Sequence, residues 1–394
     1  MLKRILAGGL SAALAFSLLT GCEAPAADSS AAGSYQASIP AAAEEDVVNY
    51  LTDGAISCAD TVMTINGTEI SAGAYFYWMS YYASYLEYNY QSTTGNSDFS
   101  LSQQYDKNTT YAEYIQEQTE QTLVSAVITT QKATELDVAL SDDAQAALDN
   151  LEKNADENTL LYYATDLEGM KRNFTDYYYS DALQTKLFEK GGEYYANKKT
   201  LQDYRDANVF GAKHILIQTT GMEEKEKAAA KEKIQGYLDK ILASDDQVST
   251  FDQYMNEQSE DPGLAQYPDG YTYLTGDMVA EFEDAVAALK VGEITPEVVE
   301  SSYGYHIIMR TEPDLEEIDN DTLKERYQQD TFNGLLDQWT QDAEVSSADT
   351  LKKLDVEDFF HKLNTLQNII DAVTQEESAA SSASAAGTSQ QPAQ

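Results

Sequence analysis

The sequence predicts a mixed α+β chain, on three observations. Two short runs rich in β-branched and aliphatic residues bracket residues 211–311. They are Ala212-Lys213-His214-Ile215-Leu216-Ile217 and Tyr303-Gly304-Tyr305-His306-Ile307-Ile308-Met309-Arg310, and both read as strands. Residues 62–70 place Asn66-Gly67 between two short alternating runs, a strong hairpin signal. Most of the other long segments repeat apolar residues at helical spacing. Of the chain's three histidines, two sit in the bracketing strands, one in each.

Taken in order, the chain opens Met1-Leu2-Lys3-Arg4 and runs apolar over 5–19 before Leu19-Thr20-Gly21-Cys22. A charged start and an apolar stretch this short make a secretory signal, not a membrane span. Small residues before Cys22 resemble the lipobox of bacterial lipoproteins. That resemblance implies cleavage before Cys22, lipidation there, and a place on the extracytoplasmic face of a bacterial membrane. The simpler alternative is an ordinary secretory signal with a chance cysteine. Cys58 is then the one remaining thiol, so no internal disulfide supports the fold.

Residues 23–60 are rich in Ala, Ser, Glu and Asp and read as a flexible tether, with a reach of about 35 Å. The hairpin and Ser71, a predicted N-cap, lead into a helix carrying Tyr75, Phe76, Trp78, Met79, Tyr82 and Leu86. That aromatic stripe reads first as core and second as a client-binding surface. Residues 91–110 read as a loop. Further helices are expected over 110–136, from a cap at Ser141, and around 160–167 and 170–188. Residues 61–205 hold no phosphate loop, nucleophile elbow or Cys/His metal spacing. Residues 314–375 read as a C-terminal helical segment that includes the third histidine, His361. Residues 376–394, mostly Ser, Ala and Gln, read as a disordered tail.

The formal charge is −42, and −44 without Lys3 and Arg4. Such a chain repels nucleic acid, which excludes that class of partner.

The pattern over 211–311 resembles the parvulin family of peptidyl-prolyl isomerases, and the hairpin-then-helix start resembles exported foldases of the PrsA and SurA type. The resemblance implies a parvulin-like domain at 206–313, a small mainly antiparallel sheet with surrounding helices. It would be inserted between a helical segment at 61–205 and the one at 314–375. In parvulins two histidines near strand ends lie under the substrate beside a Cys or Asp. Here they match His214 and His306, with Asp261 in Ser259-Glu260-Asp261-Pro262-Gly263 as the third polar group. The family's proline pocket holds a Met and, four residues later, a Phe, matched by Met278 and Phe282. If the helix has begun by Met278, the two share one face. Leu289-Lys290-Val291-Gly292-Glu293-Ile294 matches a turn of the family. Tyr273 and Tyr303 are the remaining implied substrate-binding residues, Tyr303 standing where some relatives carry a hydroxyl near the second histidine. One departure is plain. The family's Gly-Gly-x-Leu-Gly loop is replaced by Tyr267-Pro268-Asp269-Gly270-Tyr271-Thr272-Tyr273.

The implied function is a membrane-anchored isomerase and foldase acting on unfolded exported proteins with X–Pro bonds. It needs no metal and no cofactor. The alternative is a non-catalytic holdase chaperone with a vestigial parvulin domain. The parvulin motifs argue against a third reading, a solute-binding lipoprotein, and the lack of an arginine cluster argues against phosphorylated substrates.

Overall fold

A computed structural model describes residues 38–387, which fall into two compact units. One joins the N-terminal part up to Tyr194 to the chain from Thr331 onward, and the other is Tyr195–Asp330. The signal segment, Cys22 and residues 388–394 lie outside the described residues.

The first unit begins with α1 (Ala41–Glu45) and α2 (Val47–Leu51). This corrects the described part of the tether expected over 23–60, because Val47, Val48, Leu51, Ile56 and Cys58 are all buried; residues 23–37 lie outside the described residues. Asp46 organises the stretch, accepting from Asn49 N–H at 2.9 Å and from the Ser57 hydroxyl at 2.5 Å. The hairpin β1 (Thr61–Ile65) and β2 (Thr68–Ser71) turns at Asn66 and Gly67 with φ of +46° and +78°. Both angles are positive, as the tight turn that matches strand twist requires. Ser71 caps α3 (Ala72–Thr94) by accepting from Ala74 N–H. Tyr75, Phe76, Trp78, Met79 and Tyr82 of that helix are buried, so the aromatic stripe is core. There follow α4 (Tyr111–Glu135), α5 (Asp142–Asn154, capped by Ser141), α6 (Glu157–Tyr162) and α7 (Leu167–Phe188).

The second unit holds α8 (Lys198–Asn208), β3 (Val209–Gln218), α9 (Glu224–Leu242), α10 (Gln247–Gln258), β4 (Tyr271–Leu274), α11 (Ala280–Ala288), β5 (Val299–Glu300) and β6 (Gly304–Thr311). Its strands form one antiparallel sheet in the order β4-β3-β6-β5. Side chains alternate faces along each strand. Ile215, Ile217, Tyr305, Ile307 and Met309 pack on one face with Ile234, Leu238 and Phe251 from α9 and α10. Ala212 and Ile308 pack on the other face with Phe282 and Val286 from α11. Both histidines belong to this second face.

The compact unit is wider than 206–313 at both ends. Val209 and Leu274 share a small core with Ile318, Leu323, Leu201 and Tyr204, and the last four lie outside those bounds. We expect the fragment 195–330 to fold alone and to melt at a higher temperature than 206–313, followed by far-UV circular dichroism. Equal melting temperatures would show that the flanking residues add nothing.

α12 (Asn320–Thr340) leads out of this unit, and the chain continues as β7 (Val345–Ser347) and α13 (Val356–Gly387) in the first. β7 pairs antiparallel with β1, making a three-stranded sheet where the sequence suggested a hairpin alone. Phe359 of α13 stacks on Phe76 at 4.7 Å. The disordered tail expected over 376–394 is also corrected as far as Gly387, where α13 ends; the remainder lies outside the described residues. Alanine, frequent in that stretch, is the strongest helix former.

Candidate active site

Strand register brings the two histidines together. His214 pairs across with Ile308 and Leu216 with His306, so the histidines are diagonal neighbours on one face. Their rings stack at 5.3 Å with planes 14° apart, and Nδ1 meets Nδ1 at 3.1 Å.

Asp261 arrives on the loop after α10. Beyond its pairing with β4, β3 has a free edge, and this loop docks there. Leu216 N–H donates to the Ser259 hydroxyl at 3.1 Å, Glu260 N–H donates to the Leu216 carbonyl at 2.8 Å, and Gln218 N–H donates to the Glu260 carboxylate at 3.0 Å. The Asp261 carboxylate then lies 3.1 Å from His214 Nε2. Its second oxygen accepts from Gly263 N–H at 3.1 Å.

Two hydroxyls complete the array. Tyr271 donates to Asp261 Oδ2 at 2.6 Å, and Ser301 Oγ lies 2.7 Å from His306 Nε2. One placement of protons satisfies every member. Ser301 O–H donates to His306 Nε2, His306 Nδ1–H donates to His214 Nδ1, and His214 Nε2–H and Tyr271 O–H both donate to the Asp261 carboxylate.

Burial and these contacts shift the titration of three members of the array. Burial, then the neighbouring His214, lowers the His306 imidazole to about 4, against a smaller opposing pull from Asp261. Burial raises the Asp261 carboxyl, but hydrogen bonds from His214 and Tyr271 together outweigh it and bring it to about 2. Burial, and then the bond to Asp261, pushes the Tyr271 phenol up. At neutral pH the array is a carboxylate, a neutral His306 and a neutral phenol.

His306 should make the unit acid-sensitive. A histidine held at about 4 when folded and near 6.5 when unfolded binds its proton more readily in the unfolded chain. The stability of its neutral form is present above pH 6.5 and is lost as pH falls to 4, about 3 kcal/mol over that window. Asp261 contributes stability above its ordinary value of 3.8, lost as pH falls toward 2. We expect hydrogen-exchange protection of the β3 and β6 amides to weaken between pH 7 and pH 4.5 in the wild type. The decline should be much smaller in His306→Gln, and an equal decline in both would remove His306 as its cause.

Next to the histidines lies an apolar wall. Phe282, 4% exposed, meets His214 edge-on at 5.4 Å and His306 at 5.9 Å. Met278 and Tyr273 pack in the same cluster. The condition for Met278 and Phe282 to share a helix face is not met, because α11 starts at Ala280. Glu283 explains the delayed start: its carboxylate reaches back to accept from Gly276 N–H at 2.8 Å and Met278 N–H at 3.0 Å, fixing a turn there. Tyr273 is buried. Tyr303, 58% exposed, does not supply the hydroxyl beside the second histidine. Ser301 does, and its Oγ also accepts from Tyr303 N–H at 3.2 Å. Ser301 and Tyr271 are the two members of the array that the sequence reading missed.

Sheet, histidine pair and apolar wall together define a parvulin-type domain. Residues 214–312 match the Rotamase family, described as PPIC-type PPIASE domain. The chain is also homologous to foldase protein PrsA. The protein of that name from Halalkalibacterium halodurans is 32% identical over 186 residues, 44% of this chain and 50% of that protein. The one from Staphylococcus aureus strain Newman is 31% identical over 157 residues, 38% of this chain and 46% of that protein. The chain thus spans about half the length of the curated relatives it matches. The solved structure of peptidylprolyl isomerase (PrsA) from Bacillus anthracis aligns at 20% identity over 55% of this chain and 93% of that chain, with a TM-score of 0.32.

Proposed function

We propose that this protein is an exported peptidyl-prolyl isomerase and foldase, anchored through a lipid on Cys22. The observation that carries the reading is the unbroken side-chain array Ser301–His306–His214–Asp261–Tyr271 beside Phe282. An X–Pro bond rotates over a barrier of about 20 kcal/mol, because rotation destroys amide resonance. Lowering that barrier requires a dry pocket that holds the proline ring and polar groups that favour the twisted amide over the planar one. Phe282 and Met278 supply the pocket wall. His214 and His306, held rigid by partners at both ends, supply oriented dipoles that need no rearrangement during rotation. No bond to the substrate forms or breaks in this scheme, so no nucleophile or covalent intermediate is required.

The test is a cis/trans assay on short X–Pro peptides with the full chain, read by exchange between the two isomers in NMR spectra. Accelerated exchange is expected, and exchange at the uncatalysed rate would overturn the reading. Changing His214 and His306 together separates catalysis from holding. Loss of foldase function with them assigns that function to isomerisation; retention assigns it to a holdase. Cys22→Ala should release the protein from the membrane or leave it unprocessed, and unchanged processing and lipid labelling would remove the anchor from the proposal.

A further inference from the structure

We propose that Tyr271 is a positioning residue of this site: its hydroxyl locks Asp261 so that the carboxylate holds His214 in one tautomer and one orientation. The inference rests on the isomerase reading above and deepens it. Tyr271 stands in the loop where the parvulin glycine pattern is displaced, and the structure shows what replaces it. The phenol reaches across the loop to Asp261 Oδ2 at 2.6 Å, the same oxygen that lies 3.1 Å from His214 Nε2. Its ring stands edge-on to His214 at 5.7 Å and leans on Tyr267 at 5.0 Å. The carboxylate is therefore held at three points, by Tyr271, His214 and Gly263 N–H.

Two glycines make room for this arrangement. A Cβ at Gly263 would sit 2.0 Å from the Tyr271 hydroxyl. Gly270 has φ +97°, and a Cβ there would lie 2.6 Å from the Ala212 carbonyl, so the chain passes close to β3 immediately before Tyr271. The loop is thus shaped around the phenol.

With the hydroxyl in place, Asp261 has its proton acceptors directed at fixed donors, and the proton shared with His214 stays on Nε2. His214 Nδ1 is then the acceptor that His306 needs. Without the hydroxyl, the carboxylate gains freedom to turn and His214 loses its fixed partner. The groups that face Asp261 are His214 from β3, His306 from β6 and Tyr271 from β4, with Tyr267 beside Tyr271.

The test uses Tyr271→Phe in the full chain, which keeps the ring and removes only the oxygen. Peptide exchange should show kcat lowered about tenfold, the size of one hydrogen bond to a charged group, with KM nearly unchanged. The Asp261 carboxyl carbon, titrated by NMR, should have its midpoint raised from about 2 toward the ordinary 3.8. The ring nitrogen shifts of His214 should change from a single Nε2–H tautomer to a mixture. These NMR readouts do not depend on activity, so they test the lock even if the chain proves to be no isomerase. Gly263→Ala supplies a second check. It should disturb the His214 shifts in the wild type and do so much less in the Tyr271→Phe background, where the blocking oxygen is gone. An unmoved Asp261 midpoint and an unchanged His214 tautomer in folded Tyr271→Phe would overturn the proposal. So would a loss confined to KM.

Discussion

Asp261→Leu should lower kcat/KM for a short X–Pro peptide by roughly 10²- to 10³-fold, the typical loss when one preorganised electrostatic group leaves a site. Leucine fills much of the same volume but accepts no hydrogen bond. His214 Nε2–H and the Tyr271 hydroxyl then lose their shared acceptor in a largely buried setting. A buried donor left without a partner costs about 1–3 kcal/mol, so the histidine pair should relax as well as lose its field. Asp261→Asn separates the two effects, because it keeps shape and a carbonyl acceptor while removing the charge. It should fall between wild type and Asp261→Leu. Stability has to be followed beside activity, by hydrogen exchange of the same amides. A folded Asp261→Leu with the wild-type rate would take Asp261 out of the site.

How much of this was legible in the sequence depends on how local each signal is. His214 and His306 could be read because each lies within a strand-forming run and histidine is rare in this chain. Asp261 was placed through the resemblance of Ser259-Glu260-Asp261-Pro262-Gly263 to the parvulin loop that bears the third polar residue. Ser301 could not be read, since its contact to His306 depends on the course of the chain through the turn at 301–304. There Ser301 N–H and Gly304 N–H each bond to the other residue's carbonyl, at 2.9 and 3.2 Å. The exposed Tyr303, two residues nearer, drew the assignment instead. Tyr271 was hidden for another reason: a displaced glycine pattern reads as a lost loop shape, and nothing local announces that a hydroxyl has been gained.

The same division holds for the fold. The Asn66-Gly67 hairpin and the caps at Ser71 and Ser141 were legible because a turn or cap is decided within four residues. β7 has only three residues and exists through its pairing with β1, some 280 positions earlier in sequence, to which no local pattern points. Residues 41–60 were obscured by composition. Averaged over 23–60 the stretch is polar and alanine-rich, but Val47, Val48 and Leu51 fall on one side of the short helix α2 and are buried.

Phe282→Ala should give the largest combined loss of stability and activity among single changes to the pocket. The ring is 4% exposed and packs edge-on against His214, His306 and Tyr273. Truncating a buried phenylalanine costs about 3–5 kcal/mol, through lost apolar burial and the cavity left behind. Part of that loss falls on the proposed proline pocket itself. An aromatic wall of this size contributes ~1–3 kcal/mol to productive binding, so kcat/KM should fall roughly 5- to 150-fold in the fraction that remains folded. Phe282→Leu distinguishes the two contributions, because it restores most of the apolar volume but none of the ring edges facing the histidines. It should recover stability more fully than activity. The severest test is the double variant Phe282→Ala, His306→Ala, which removes the wall and one half of the histidine pair together. If that variant is folded and isomerises peptides at the wild-type rate, the chemistry lies elsewhere in the chain.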